Sequence, residues 1–311
     1  MLLKPSKTCD EAIKFLETLT EQGLNNVQVS IPHISSGNNW SRSEDRDAMV
    51  PVVREYDQWT LKAAQELLEV FADRSVAARL RGERYTSIMY GHYEPARLAY
   101  LLNGEFFELR AFFAQLANEL RETKERFKDH QAKTVVLDTN DLLHHMRYDK
   151  IPWQRIFGKG TTVVIPHVVV DEIDKKSYAI SDTVQRRARG VFALLEKTLT
   201  AIEVTGRHEV AGTSIEVLLD EPGHVRLPNN DDEIVSRALY LQQAIFPTPV
   251  TVVTGDNGMR ARALAWGLKA RKLDERYRIK KLSAEQKAEN LASIDFEVPA
   301  EDDAIEGDEA P

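Results

Sequence analysis

The chain has 311 residues, 42% hydrophobic and 29% charged, proportions that exclude a disordered or membrane-embedded polypeptide and suit one or two folded domains. Its single cysteine, Cys9, excludes an intramolecular disulfide framework and fits a reducing compartment. The formal net charge of −8 would argue against a nucleic-acid partner, but eight acidic residues sit in 295–311, which has no Lys or Arg, and the remaining 41 acidic residues balance the 41 basic ones. No run approaches the ~20 apolar residues of a membrane span. The N-terminal residues lack the sustained apolar run of a signal peptide, so the expected location is cytoplasmic, with no membrane partner.

Residues 1–130 read as a mostly α-helical region. Thr8-Cys9-Asp10-Glu11 has capping-box spacing, and Ala12, Phe15, Leu16 and Leu19 follow at helical intervals. Residues 25–49, rich in Ser, Asn and Gly, read as a loop. A helix is expected from about 55 to 82, with Trp59, Ala63, Leu67, Val70 and Phe71 on one stripe, and another from about 95 to 128 with Gly104 as a break.

The pattern changes at Lys133. Three short β-branched apolar runs appear, TVVLD ending at Asp138, TTVVIP at 161–166 and VTVVT at 250–254. Helical stretches at 167–178, 181–200, 231–246 and 258–266 alternate with them. Buried strands alternating with helices predict an α/β domain over 133–280 with a central parallel sheet. Residues 201–219 hold two alternating runs, IEV and SIEVLL, and read as a hairpin.

Four acidic positions stand out. Asp138 ends the first apolar run, Glu172 lies in the helical stretch after the second, Asp231 and Asp232 open a helix, and Asp256 follows the third run in VVTGDNG. The carboxyl ends of parallel strands line one crevice, so Asp138 and Asp256 should face it, with Asp231 and Glu172 added from helices. Carboxylates gathered there repel one another unless a cation neutralises them, and all-oxygen ligands favour Mg²⁺ or Mn²⁺. Each acid also has an ordinary reading. Asp231 and Asp232 suit a helix N-terminus with Asn230 as its cap, Asp256 suits a turn, Asp138 suits the end of a strand, and Glu172 could pair with Lys175 or Lys176. For Asp232 the helix-terminus reading is preferred.

The order VLDTN, IPHVVVDEID, NNDDEIV, VVTGDNG resembles the PIN-domain ribonucleases over about residues 133–280. The resemblance implies a Rossmann-like sheet, and a metal site of Asp138, Glu172, Asp231 and Asp256 that holds Mg²⁺ or Mn²⁺. Asp231 has the Ile of the family pattern three positions on, Ile234, where Asp232 has Val235. Asn140, Thr254 and Asp232 are implied as supports behind these ligands. The implied activity is a metal-dependent endoribonuclease that hydrolyses RNA, single-stranded for preference, with metal-activated water. A non-catalytic RNA-binding protein that keeps the fold is the alternative. A third reading is a phosphatase of the haloacid dehalogenase type, with Asp138 as nucleophile. It wants a second Asp two residues on, where Asn140 stands.

Lys175, Lys176, Arg260 and Arg262 follow the crevice motifs and are read as nucleic-acid contacts, while Arg186, Arg187 and Arg189 and the basic residues after Arg262 are read as solvated. His144 and His145, neighbours on a helix, point in different directions and should not share an ion. Residues 1–130 are expected to act in substrate selection, through Trp40, Arg42 and Arg46, or in a homo-oligomer, through Phe106, Phe107, Phe112 and Phe113. Trp40, Trp59, Trp153 and Trp266 otherwise read as core or interface residues, Cys9 as a buried or inert thiol, and 295–311 as a disordered acidic tail.

Overall fold

The computed structural model describes residues 3–32, 43–130 and 132–279. Trp40, Arg42, the side chain of Arg46 and the acidic stretch 295–311 lie outside what is described.

Helices fill the N-terminal region: α1 Cys9–Thr18, α2 Asn25–Val29, α3 Ser43–Val70, α4 Arg74–Ala78, α5 Glu83–Tyr90 and α6 Pro95–Arg126. The expected capping box opens α1, with the Thr8 hydroxyl accepting from Glu11 N at 3.3 Å and Thr8 N donating to the Glu11 carboxylate at 2.9 Å. Residues 25–49 are not one loop, since a π-helical turn carries α1 into α2 and α3 begins at Ser43. α3 continues through Pro51, which removes one i→i−4 hydrogen bond, and it stops at Val70 rather than reaching Gly82. There Asp73 caps α4 through Ser75 N, at 2.8 Å, and redirects the chain. Gly104 does not break α6, whose buried stripe of Leu102, Phe106, Leu109 and Phe113 holds it across the glycine.

The second region is α/β. Its elements are β1 Thr134–Leu137, α7 Thr139–His144, α8 Trp153–Phe157, β2 Thr162–Pro166, α9 His167–Ser177 and α10 Asp182–Thr205. They continue with β3 His208–Val210, β4 Thr213–Leu218, α11 Asn230–Ile245, β5 Val250–Val253, α12 Asn257–Ala265 and β6 Lys269–Arg271. The sheet order is β3-β4-β2-β1-β5-β6, parallel except for β3 against β4. β1, β2 and β5 are buried throughout, which is why their sequences are unbroken apolar runs.

The hairpin exists, but its first strand is His208–Val210. Ile202, Glu203 and Val204 are helical, because α10 runs on until Gly206 caps it in the left-handed conformation at φ 73°. β6 is an edge strand whose Lys269 and Arg271 are exposed, so no apolar run marks it in the sequence.

The two regions share one contiguous set of buried apolar residues. Gln243 on α11 donates to Leu3 O at 3.1 Å and Lys4 O at 3.0 Å and accepts from Leu3 N at 3.3 Å. The Phe127 ring meets Tyr240 edge-on, with centroids 5.9 Å apart. Trp153 and Cys9 are buried, and burial pushes the Cys9 thiol up to about 11, as expected of an inert thiol.

Candidate active site

The parallel strands end on one edge, and the chain leaves three of them with a polar residue. Asp138 follows β1, Thr254 follows β5 and His167 follows β2. Asp138 is the N-cap residue of α7 and is 2% exposed. The Thr254 hydroxyl donates to Asp138 Oδ2 at 2.8 Å and accepts from Asp256 N at 3.0 Å, so one buried threonine ties two of the acids together. Burial pushes the Asp138 carboxyl up to about 6. The Thr254 bond and a bond from the backbone N–H of Asn140 oppose the rise, while Asp141 and Asp231 add to it. Asn140 thus supports Asp138 through its main chain, with its side chain at the surface.

Glu172 lies in the second turn of α9. It accepts from the Thr139 hydroxyl and, at 2.8 Å, from Asn230 Nδ2. Asn230 therefore does not cap α11. Asn229 does, accepting from Asp231 N at 2.8 Å and Asp232 N at 3.3 Å, which releases Asn230 to hold Glu172. Asp231 and Asp232 share one partner, Arg262, at 2.9 and 3.1 Å. Arg262, expected to contact nucleic acid, is thus engaged inside the acidic edge. Asp256 caps α12, accepting from Met259 N at 2.8 Å, so the ordinary and the functional readings of this residue coexist. Lys175 is exposed one turn beyond Glu172, and Arg260 donates to Asn257 at 3.3 Å.

Thr254 joins Asp138 and Asp256, and the charge of Asp231 acts on Asp138. Among the described residues, the trio whose ligand atoms all lie within 4.8 Å of one another is a different one, Asp220, His224 and Glu233. It sits where β4 leads into α11. His224 meets Glu233 at 2.7 Å, Leu227 N donates to Glu233 at 2.8 Å, and Asp220 pairs with Arg226 at 2.5 Å and His167 at 3.3 Å. His144 and His145 do not converge, as expected. Arg187 approaches His144 at 3.2 Å, while His145 approaches Asp141 at 3.0 Å. Sequence reasoning read Asn230 only as a cap and passed over Thr139 and Asp141, although Asp141 stands three residues after Asp138 and four before His145, spacings that share a helix face.

Residues 135–274 match the family model of the PIN domain. The α/β region is a PIN domain, with the Rossmann-like fold of that family. PIN domains are generally nucleases and typically use divalent metals. No curated protein matches the sequence. Among the described residues no helix is long and apolar enough to cross a membrane.

The donor set of this PIN domain fits a hard divalent cation. Its candidate ligands are carboxylate oxygens, and the innermost of them, Asp138, is buried beside other negative charge with no cationic side chain among its hydrogen-bond partners.

Proposed function

We propose that the protein is a metal-dependent endoribonuclease acting on single-stranded RNA. The observation that carries the reading is the burial of Asp138 at the carboxyl edge of the sheet, where its charge is raised in energy by its surroundings and Thr254 links it to Asp256. Asp138, Glu172, Asp231 and Asp256 would hold Mg²⁺ or Mn²⁺. A divalent cation bound there supplies positive charge for the displacement at phosphorus.

The chain's own residues do the rest. Thr254 fixes the rotamer of Asp138, and Thr139 with Asn230 fixes Glu172, whose carboxylate can then orient the attacking water. Arg262 holds Asp231 and Asp232 at the crevice wall. Lys175, Lys176 and Arg260 lie on the helices that flank the crevice and would contact the phosphate backbone, which carries charge but no sequence information. Selection among RNAs then falls to the helical region 1–130, which is continuous with the PIN domain through the shared core.

Labelled single-stranded RNA and DNA incubated with the full chain in Mg²⁺, Mn²⁺ or EDTA test the reading. Cleavage of RNA that requires metal is expected. Tight binding to RNA with no cleavage in either metal would make the protein a non-catalytic binder instead.

A further inference from the structure

We propose that Asp141 is a fifth carboxylate of the cation site, placed beside Asp138 and oriented by His145. The inference rests on the metal-dependent reading above and goes beyond it, because it adds a ligand outside the four motif acids.

The argument begins with position. Asp138 is the N-cap of α7, so Asp141 stands at the third residue of the helix. A carboxylate there ordinarily turns back to accept from the N–H of the capping residue. That N–H is already committed, since Asp138 N donates to Val253 O at 3.2 Å and continues the sheet. The N–H of Asn140 bonds Asp138 itself. Neither N–H is left for Asp141.

Burial makes the shortage matter. Asp141 is 4% exposed, and among the described residues neither of its carboxylate oxygens accepts a hydrogen bond. His145, 6% exposed, places Nδ1 3.0 Å from Asp141 Oδ1, but that nitrogen also faces Asp141 O at 3.3 Å, and the hydrogen-bond geometry favours the carbonyl. One imidazole contact does not satisfy two oxygens with about four acceptor sites. Buried carboxylates persist in folded proteins when they are paired or coordinate a metal. No Lys or Arg forms an ion pair with Asp141 among the described residues.

The neighbour decides between the remaining partners. Asp138 and Asp141 are both buried and stand three residues apart at the start of α7, a spacing that shares a helix face. Two buried carboxylates side by side call for a cation, which draws on both, more than for a water, which leaves both charges in place. The pairing of a carboxylate with an imidazole on the next turn resembles the outer-shell bonds that orient metal ligands, here with the carboxylate facing the ion and the imidazole behind it.

The test uses the full chain, with Mn²⁺ as the probe, titrated calorimetrically, and thermal unfolding in EDTA and in saturating Mn²⁺. Asp141→Asn should weaken Mn²⁺ binding at least tenfold, melt above wild type in EDTA because a buried charge with no Lys or Arg partner is gone, and gain less from Mn²⁺. Asp141→Glu keeps the charge but moves it, and should weaken binding at least fivefold. It decides the question if the Asn variant does not fold. Mn²⁺ affinity within twofold of wild type in a folded variant would overturn the proposal and point to a buried water as the partner of Asp141. Asp138→Asn separates the two levels. If wild type binds Mn²⁺, Asp138→Asn loses it and Asp141→Asn does not, only the role of Asp141 falls. If wild type does not bind Mn²⁺, the metal reading falls, and this proposal with it.

Discussion

Two acidic constellations lie along one edge of the sheet, and they differ in a way that geometry alone would misjudge. Asp220, His224 and Glu233 are the tighter group, with ligand atoms within 4.8 Å of one another. Yet Arg226 and His167 engage Asp220, while His224 and Leu227 N engage Glu233, so this group is a mutually satisfied strap over the segment between β4 and α11. The crevice acids are looser, but Asp138 is buried with its charge uncompensated and Asp141 has no Lys or Arg partner among the described residues. Unmet charge, more than proximity, is the sign of a cation site, because close carboxylates with cationic partners have no need of an ion.

The sharpest break in this contrast is catalytic. Asp138→Asn keeps the shape of the side chain and removes its charge. Hydrolysis of RNA should fall at least a thousandfold, about 4 kcal/mol in the barrier. A variant within tenfold of wild type would show that the uncompensated charge has no part in the chemistry.

The same residue should carry a stability signature in EDTA. Its folded value of about 6 lies above its ordinary 3.8, so between these pH values the folded protein keeps a proton that the unfolded chain releases. The folded state binds more protons there, and stability falls as pH rises through that window. The full effect is about 3 kcal/mol. Urea unfolding in EDTA should therefore find Asp138→Asn more stable than wild type at pH 7 and the advantage shrinking towards pH 4. An Asn variant that is the weaker protein at pH 7 would mean that the native surroundings favour the carboxylate.

Metal should then distinguish the two constellations. At a hundred times its Kd, an ion that binds only the folded state adds about 2.7 kcal/mol of stability. Wild type and His224→Gln should gain alike in melting temperature from saturating Mn²⁺, while Asp138→Asn should gain much less. The reverse pattern would move the metal to the strap.

The sequence was informative where burial writes a pattern. The three unbroken runs that became β1, β2 and β5 announced a parallel sheet, and the acids after them announced the crevice, because strand ends in such a sheet share an edge. It was silent where tertiary partners decide. Nothing local says that Asn229 rather than Asn230 caps α11, since both are good caps, and the choice is fixed by Glu172, 58 residues away from Asn230. The IEV run alternates like a strand but continues a long helix, and the exposed edge strand β6 has no apolar face to betray it. Asp141 was overlooked because its significance lies in partners it does not have, which a sequence cannot display.

The smallest predicted effect concerns the strap itself. Arg226 is 30% exposed and bridges Asp220 and Asp171, both at 2.5 Å. Solvent screens such a pair, so Arg226→Met should cost only about 1 kcal/mol in EDTA, less at high salt. The sign in metal is what makes the substitution informative. If Asp220, His224 and Glu233 are satisfied by one another and by Arg226, the loss should be the same in EDTA and in Mn²⁺ or Zn²⁺. If instead the arginine holds a latent metal site closed, its removal frees Asp220 as a ligand, and a set that includes an imidazole would favour Zn²⁺ over Mg²⁺. The variant would then be less stable than wild type in EDTA and more stable in Zn²⁺. Equal losses in both conditions would leave the cation to the buried carboxylates around Asp138.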